Sequence, residues 1–196
     1  MGFTRHVFQK RELSPTEWEA GSAGCRAVAQ HCSNEGITLL HPLSNSDSNE
    51  IRDDEDRHAF IAAASWFGTQ LGEGLSDEEL MKPFEHAGPV FTSSVVAFAD
   101  ARGVEPFWFP RAMVERTFFN LPKKPRQRSE SVVLHYCKTS RHPYDLAVGA
   151  CYRLAVLIAP EAVSMDASAE NEDSIEAYAL AESVFQSLKA SGQIKH

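Results

Sequence analysis

No stretch of this chain approaches the roughly 20 consecutive apolar residues with which a helix crosses a bilayer. The opening residues MGFTRHVFQK have no apolar leader core, so a cytoplasmic location is expected. The chain starts Met-Gly, but N-myristoylation needs Ser or Thr at position 6, where His6 stands. Cysteine is scarce: there are 4, none in a C-x-x-C pair, which argues against a zinc ribbon. Cys25 and Cys32 fall two turns apart on one expected helix, too far to bridge. Together with Cys137 and Cys151 they are expected as buried free thiols. No G-x-x-x-x-G-K-[ST] loop is present, which excludes a P-loop. No internal repeat and no cofactor motif is visible. Basic residues are in the minority, 19 against 27 acids, for a net charge of −8. That balance disfavours a general nucleic-acid-binding surface but leaves room for a local basic site.

Hydrophobic residues make up 43% and charged residues 23% of the 196 positions, as in a soluble globular protein. One domain spanning 1–196 is expected, large enough to bury a substantial core. The organising stretch is Ser131 to Ala159. Residues 132–137 are β-branched, aromatic or aliphatic, the composition of a strand. Val132, Leu134 and Tyr136 share one face, and Val133, His135 and Cys137 the other. Both faces read as largely apolar, so a strand covered on both sides is expected. A helix over 143–159 follows. Pro143 suits its first turn, Asp145 complements the dipole, and Leu146, Ala147, Ala150, Leu154, Leu157 and Ile158 recur at helical spacing before Pro160.

Phe3 to Gln9 alternates as a strand. Ser14-Pro15-Thr16-Glu17 is a capping box opening a helix over 15–33, with Trp18, Cys25, Val28, Ala29 and Cys32 on its buried stripe. Ile37 to Leu40 reads as a short strand. Residues 44–57 form an acidic loop with six acids and two arginines. Residues 58–69 suit a buried strand or a helix, and the alanines favour a helix. Ser76 to Glu79 opens another short helix before Pro83. Val90 to Ala99 and Val104 to Phe109 read as a hairpin turning at 100–103. Leu121 to Arg128, with two prolines and four basic residues, is an extended basic loop. Ala162 to Met165 reads as a last strand. Asn171 or Ser174 caps a helix over 172–190 with Ile175, Tyr178, Phe185 and Leu188 buried. The fold class expected is α+β: a mixed or antiparallel sheet flanked by three main helices.

Three groups of residues could carry chemistry. Lys138, Thr139, Ser140 and Arg141 place two cations and two hydroxyls at a helix N-terminus, equipment for a phosphate or carboxylate. A local role competes, with Ser140 capping the helix and Lys138 or Arg141 pairing with Asp145. His135, Cys137 and His142 are candidate catalytic residues, although the cysteine-phosphatase spacing C-x-x-x-x-x-R fails, since Pro143 stands where its arginine should. His135 and Cys137 also suit a core. On the first strand Arg5, His6 and Lys10 form the third group, with His6 opposite His135 if the strands pair so. The carboxylates of 47–57 fit no calcium loop, and no metal site or cofactor is expected. Phe107, Trp108 and Phe109 suit either core packing or a partner surface.

Cys137 to Asp145 resembles a C-K-T-x-R-x-P-Y-D run of small uncharacterised bacterial and phage proteins. Ala97-Phe98 with Glu105-Pro106-Phe107 resembles their F-N-G…E-x-F hairpin, and Gly2 to His6 fits their opening. The chain departs from that pattern at Ala99-Asp100 and in the long segment before Val90. The resemblance implies an intact domain and an important junction; it assigns no reaction. The expectation is a soluble cytosolic binding or regulatory protein with an anion site at 137–145, taking a protein partner or a phosphorylated ligand. The alternative is an enzyme acting on a phosphorylated small molecule or a nucleic-acid end.

Overall fold

The computed structural model describes residues 4–40, 88–91, 95–100, 106–111, 132–165 and 174–194. The expectations for the loop 44–57, the helices at 58–69 and 76–83, the turn at 101–103 and the basic loop 121–128 lie outside those residues. The described elements are, in order, β1 (Thr4–Gln9), α1 (Pro15–Asn34), β2 (Val90–Phe91), β3 (Val95–Phe98), β4 (Phe107–Pro110), β5 (Val133–Lys138), α2 (Asp145–Ile158), β6 (Val163–Ser164) and α3 (Ile175–Ala190). This is an α+β fold with two antiparallel three-stranded sheets, ordered β5-β1-β6 and β2-β3-β4. One sheet was expected; instead β4 packs beside β5 without joining its ladder.

Local chemistry explains the clearest element. Ser14 Oγ accepts the Glu17 N–H at 3.3 Å, and Glu17 accepts the Ser14 N–H at 2.8 Å, so the capping box closes both ways. Arg11 grips the same carboxylate with two bonds of 2.8 and 2.7 Å. With Arg11 the largest cause, the Glu17 carboxyl is pulled down to about 2. At the other end Gly36, at φ +77°, takes the left-handed conformation that lets the chain leave the helix. The buried stripe contains Trp18, Cys25, Val28 and Cys32, as expected.

β1 and β5 pair with Arg5 opposite Cys137 and Val7 opposite His135. Arg5, Val7, Gln9, Val133, His135 and Cys137 therefore point together into the interior, where all are buried. The other face is not covered as expected: Val132 and Leu134 are 41% and 45% exposed. Among the described residues the helical layer packs on the inner face of this sheet, where Val133, His135 and Cys137 are buried. His6 lies opposite Tyr136, on that outer face, packed edge-on to Phe8. It does not meet His135.

The run expected as one strand over 90–99 is two arms, with Val90 opposite Ala97, and Ile37–Leu40 reduces to a bridge between Leu40 and Ala99. β3 and β4 form the expected hairpin, Phe98 opposite Phe107. Phe98 and Phe107 stack at 4.5 Å, Phe107 meets Tyr152 at 5.1 Å, and Phe109 lies over Trp18. Phe107 and Phe109 are thus core residues.

α2 is the central helix, with eight buried positions between Ala147 and Ala155. It begins at Asp145, later than expected, and Tyr144 occupies its N-cap without a side-chain cap. On α3 the buried stripe is Ala177, Ala181, Val184 and Leu188, whereas Ile175 is 66% exposed. Small residues face α2 because the helices come close: a Cβ at Gly149 would sit 2.9 Å from the Ala177 Cβ. Among the described residues no helix is long and apolar enough to cross a membrane.

Candidate functional site

The residues around the strand-to-helix junction are set by a buried ionic brace. Arg5, only 4% exposed, reaches from β1 to the start of α2. Its Nε donates to Asp145 Oδ1 at 3.0 Å and its Nη2 to Oδ2, a two-pronged grip on one carboxylate. Its Nη1 donates to Ser174 Oγ at 2.6 Å, tying in the start of α3. Thr139, fully buried, donates its hydroxyl to Asp145 Oδ1. Gly149 leaves room for the guanidinium, since a Cβ there would lie 3.3 Å from Arg5 Cζ. Arg5 and Thr139 therefore both bond Asp145, and Arg5 ties Ser174 to the same group. Its charge is matched by Arg5, where the sequence suggested Lys138 or Arg141.

The turn above this brace is unusual. Ser140 and Arg141 have φ of +51° and +61°, and the His142 N–H donates to the Thr139 carbonyl at 3.0 Å. Two consecutive left-handed residues closed by that bond describe a type I′ turn, a geometry that glycine and asparagine favour. Ser140 therefore does not cap α2. Nor does Ser174 cap α3 through its side chain, because its hydroxyl accepts from Arg5. The Asp145 and Leu146 N–H groups donate to the carbonyls of His142 and Pro143 at 2.8 and 3.3 Å. What the junction offers outward is side chains: Lys138 and Arg141 are exposed, and Ser140 and His142 are half-buried.

The expected catalytic residues fall into different environments. His135 is 2% exposed and sits edge-on to Phe109. Its Nε2 lies 2.7 Å from Gln9 Oε1, while Gln9 Nε2 donates to the carbonyls of Arg11 and Arg111, both at 2.9 Å. Gln9 thus spends its donors on the backbone, and its oxygen accepts the His135 proton. Cys137 is fully buried, 3.7 Å from the Tyr144 hydroxyl, which donates to the Lys138 carbonyl. These two side chains knit the interior together.

Two of the other thiols are no better placed for nucleophilic work. Cys32 is pushed up to about 11 by burial, and Cys151 is pushed well up by burial and by neighbouring Cys25.

His142 differs. Its Nδ1 lies 3.0 Å from Oδ2 of Asp100, which follows β3 and is 7% exposed. Sequence reasoning placed Asp100 only in a turn; nothing local links it to the junction. Among the described residues no three His, Cys, Asp or Glu side chains group as a metal cage. A cleft of about 440 Å³, lined by Arg26, Gln30, Ile37 and Phe91 among others, lies at the end of α1 and does not include the junction.

No family model, curated protein or solved structure matches the chain.

Proposed function

We propose that the protein is a binding or regulatory protein whose turn 138–142 takes a small anion, a phosphate group or a carboxylate. The observation that carries the reading is the pair of left-handed residues Ser140 and Arg141. Such backbone costs of order 1–3 kcal/mol per residue and persists only where the surroundings enforce it, which happens disproportionately at ligand sites. Here the Arg5–Asp145–Thr139–Ser174 brace enforces it. Two cations project from the turn, Lys138 before it and Arg141 within it. The carboxylate nearest in sequence, Asp145, is already neutralised by Arg5, so it opposes an incoming anion little. Arg141 suits a forked contact to oxygen pairs, and Lys138 adds a point charge.

Thermal denaturation in phosphate, against chloride at equal ionic strength, tests this. A ligand bound only by the native state at a hundredfold excess over Kd adds about 2.7 kcal/mol. The wild type is expected to melt higher in phosphate. The double variant Lys138→Ala, Arg141→Ala is expected to stay folded and lose that response. Equal shifts in the two salts, or an undiminished response in the variant, would remove the site.

A further inference from the structure

We propose that His142 and Asp100 form a proton-transfer pair, so that the turn hydrolyses a phosphate ester and does not merely hold a phosphate group. This rests on the anion reading above and extends it. His142 Nδ1 and Asp100 Oδ2 are both buried and 3.0 Å apart, yet not aligned as a hydrogen bond; among the described residues neither atom has another hydrogen-bond partner. Buried polar atoms left in that state are costly and call for an explanation. Catalytic hydrogen bonds are often poorly aligned without ligand and tighten when substrate arrives.

Backbone contacts hold both residues in place. The His142 N–H and C=O are used by Thr139 and Asp145, and the Ala99 N–H and C=O bridge to Leu40 just before Asp100. The His142 side chain keeps 25% of its surface exposed, while its Nδ1 is buried. With Nδ1 turned to the Asp100 carboxylate, Nε2 is the ring nitrogen left to meet a substrate. Asp100 faces this ring from the end of β3, and the same junction carries the exposed cations Lys138 and Arg141.

The step balances without an oxidant or reductant. Nε2 takes a proton from water as the water oxygen bonds to phosphorus. The phosphorus–ester oxygen bond breaks, and its electron pair leaves with the alcohol oxygen, which then receives the proton from His142. Lys138 and Arg141 offset charge on the phosphoryl oxygens. His142 is the catalytic residue and Asp100 its positioning residue.

The test uses the full chain with p-nitrophenyl phosphate and bis(p-nitrophenyl) phosphate, which separate monoester from diester chemistry, run beside the phosphate melting assay. The wild type is expected to release nitrophenolate from one of them. His142→Gln is expected to lower kcat about 100-fold, as loss of a general base does, while still melting higher in phosphate. Asp100→Asn is expected to lower kcat with KM little changed, a split that simple loosening of the fold would not give. If Asp100→Asn fails to fold by circular dichroism, His142→Gln alone decides. No release from either ester, or wild-type turnover by His142→Gln, overturns the inference. A wild type without a phosphate response would overturn the anion reading itself, so the two failures are distinct.

Discussion

Replacing Arg5 by Met keeps an unbranched apolar stem and removes every charge-assisted bond of the brace. Asp145 would keep only the Thr139 hydroxyl, and Ser174, 1% exposed, would lose its charged donor. The magnitude follows from burial. Exposed ion pairs contribute about 0–1 kcal/mol, whereas removing one member of a buried pair costs about 3–5 kcal/mol because the other charge is stranded. The Arg5 and Asp145 side chains are 4% and 13% exposed, so the buried case applies, with some water reaching Asp145. The expected loss is therefore about 3 kcal/mol, at the lower end of that range. For a chain of this size each kcal/mol moves Tm by about 2–4 °C, so the fall should be roughly 6–12 °C. Urea denaturation followed by circular dichroism measures the loss. A double-mutant cycle with Asp145→Leu measures the coupling, and the double variant should be more stable than the two single losses added together predict. A loss below about 1 kcal/mol, the size of an exposed pair, would refute the claim that this ion pair fixes the junction.

Gly149→Ala gains about 1 kcal/mol of helix propensity but places a methyl 2.9 Å from the Ala177 Cβ and 3.3 Å from Arg5 Cζ. Overpacking of about 1–3 kcal/mol outweighs the gain, so Tm should fall; a rise would show that the α2–α3 contact yields. Because the Glu17 carboxyl is lowered in the fold, chiefly by Arg11, from 4.5 to about 2, its contribution is present above pH 4.5 and fades as pH drops toward 2. Glu17→Gln should cost about 1 kcal/mol at pH 7 and flatten the acid side of the stability curve, and parallel curves for the two proteins would contradict that assignment. Ser140→Gly relieves a left-handed serine and should leave stability equal or higher, whereas Ser140→Val, β-branched at φ +51°, should lose at least about 1 kcal/mol; equal melting of the two variants would count against strain at the turn.

Local signals in the sequence translated well into structure. Ser14 to Glu17 lie within hydrogen-bond reach of one another in any helix, so the capping box and the start of α1 were readable residue by residue. The strand nature of 4–9 and 133–138 was equally local. What alternation could not supply was coverage: Leu134 is apolar, but whether a layer lies over it depends on where the helices pack. The α3 stripe was read in part, with Leu188 buried and Tyr178 against the core, and missed elsewhere for a related reason. Ile175 and Phe185 are the more hydrophobic residues, yet Ala177 and Ala181 face inward because Gly149 lets α2 approach closely. At the site, Lys138 and Arg141 were visible as exposed cations. The conformation of Ser140 was not, since neither it nor Arg141 is a glycine or asparagine that would announce a left-handed turn. Arg5 stood out on the first strand, but its pairing with Asp145, like that of Asp100 with His142, was hidden because each forms only through tertiary contacts, one from β1 to α2 and the other from the end of β3.

The chain could have relieved the turn by carrying glycine at 140 and 141, since glycine takes positive φ without steric penalty. It carries serine and arginine, and accepts about 1–2 kcal/mol of strain for each. The brace below is worth a similar amount, about 3 kcal/mol when one partner is removed. A brace of that size opposing strain of that size adds little to overall stability. What it does add is a fixed backbone from which the Arg141 guanidinium and the His142 ring project at set positions. Had stability been the main outcome, an apolar pair in place of Arg5 and Asp145 would serve as well, because buried ion pairs are often matched or exceeded by hydrophobic replacements. The combination of strained, side-chain-bearing turn residues with a buried charged support is therefore better explained by the position of Arg141 and His142 than by the folding of the chain.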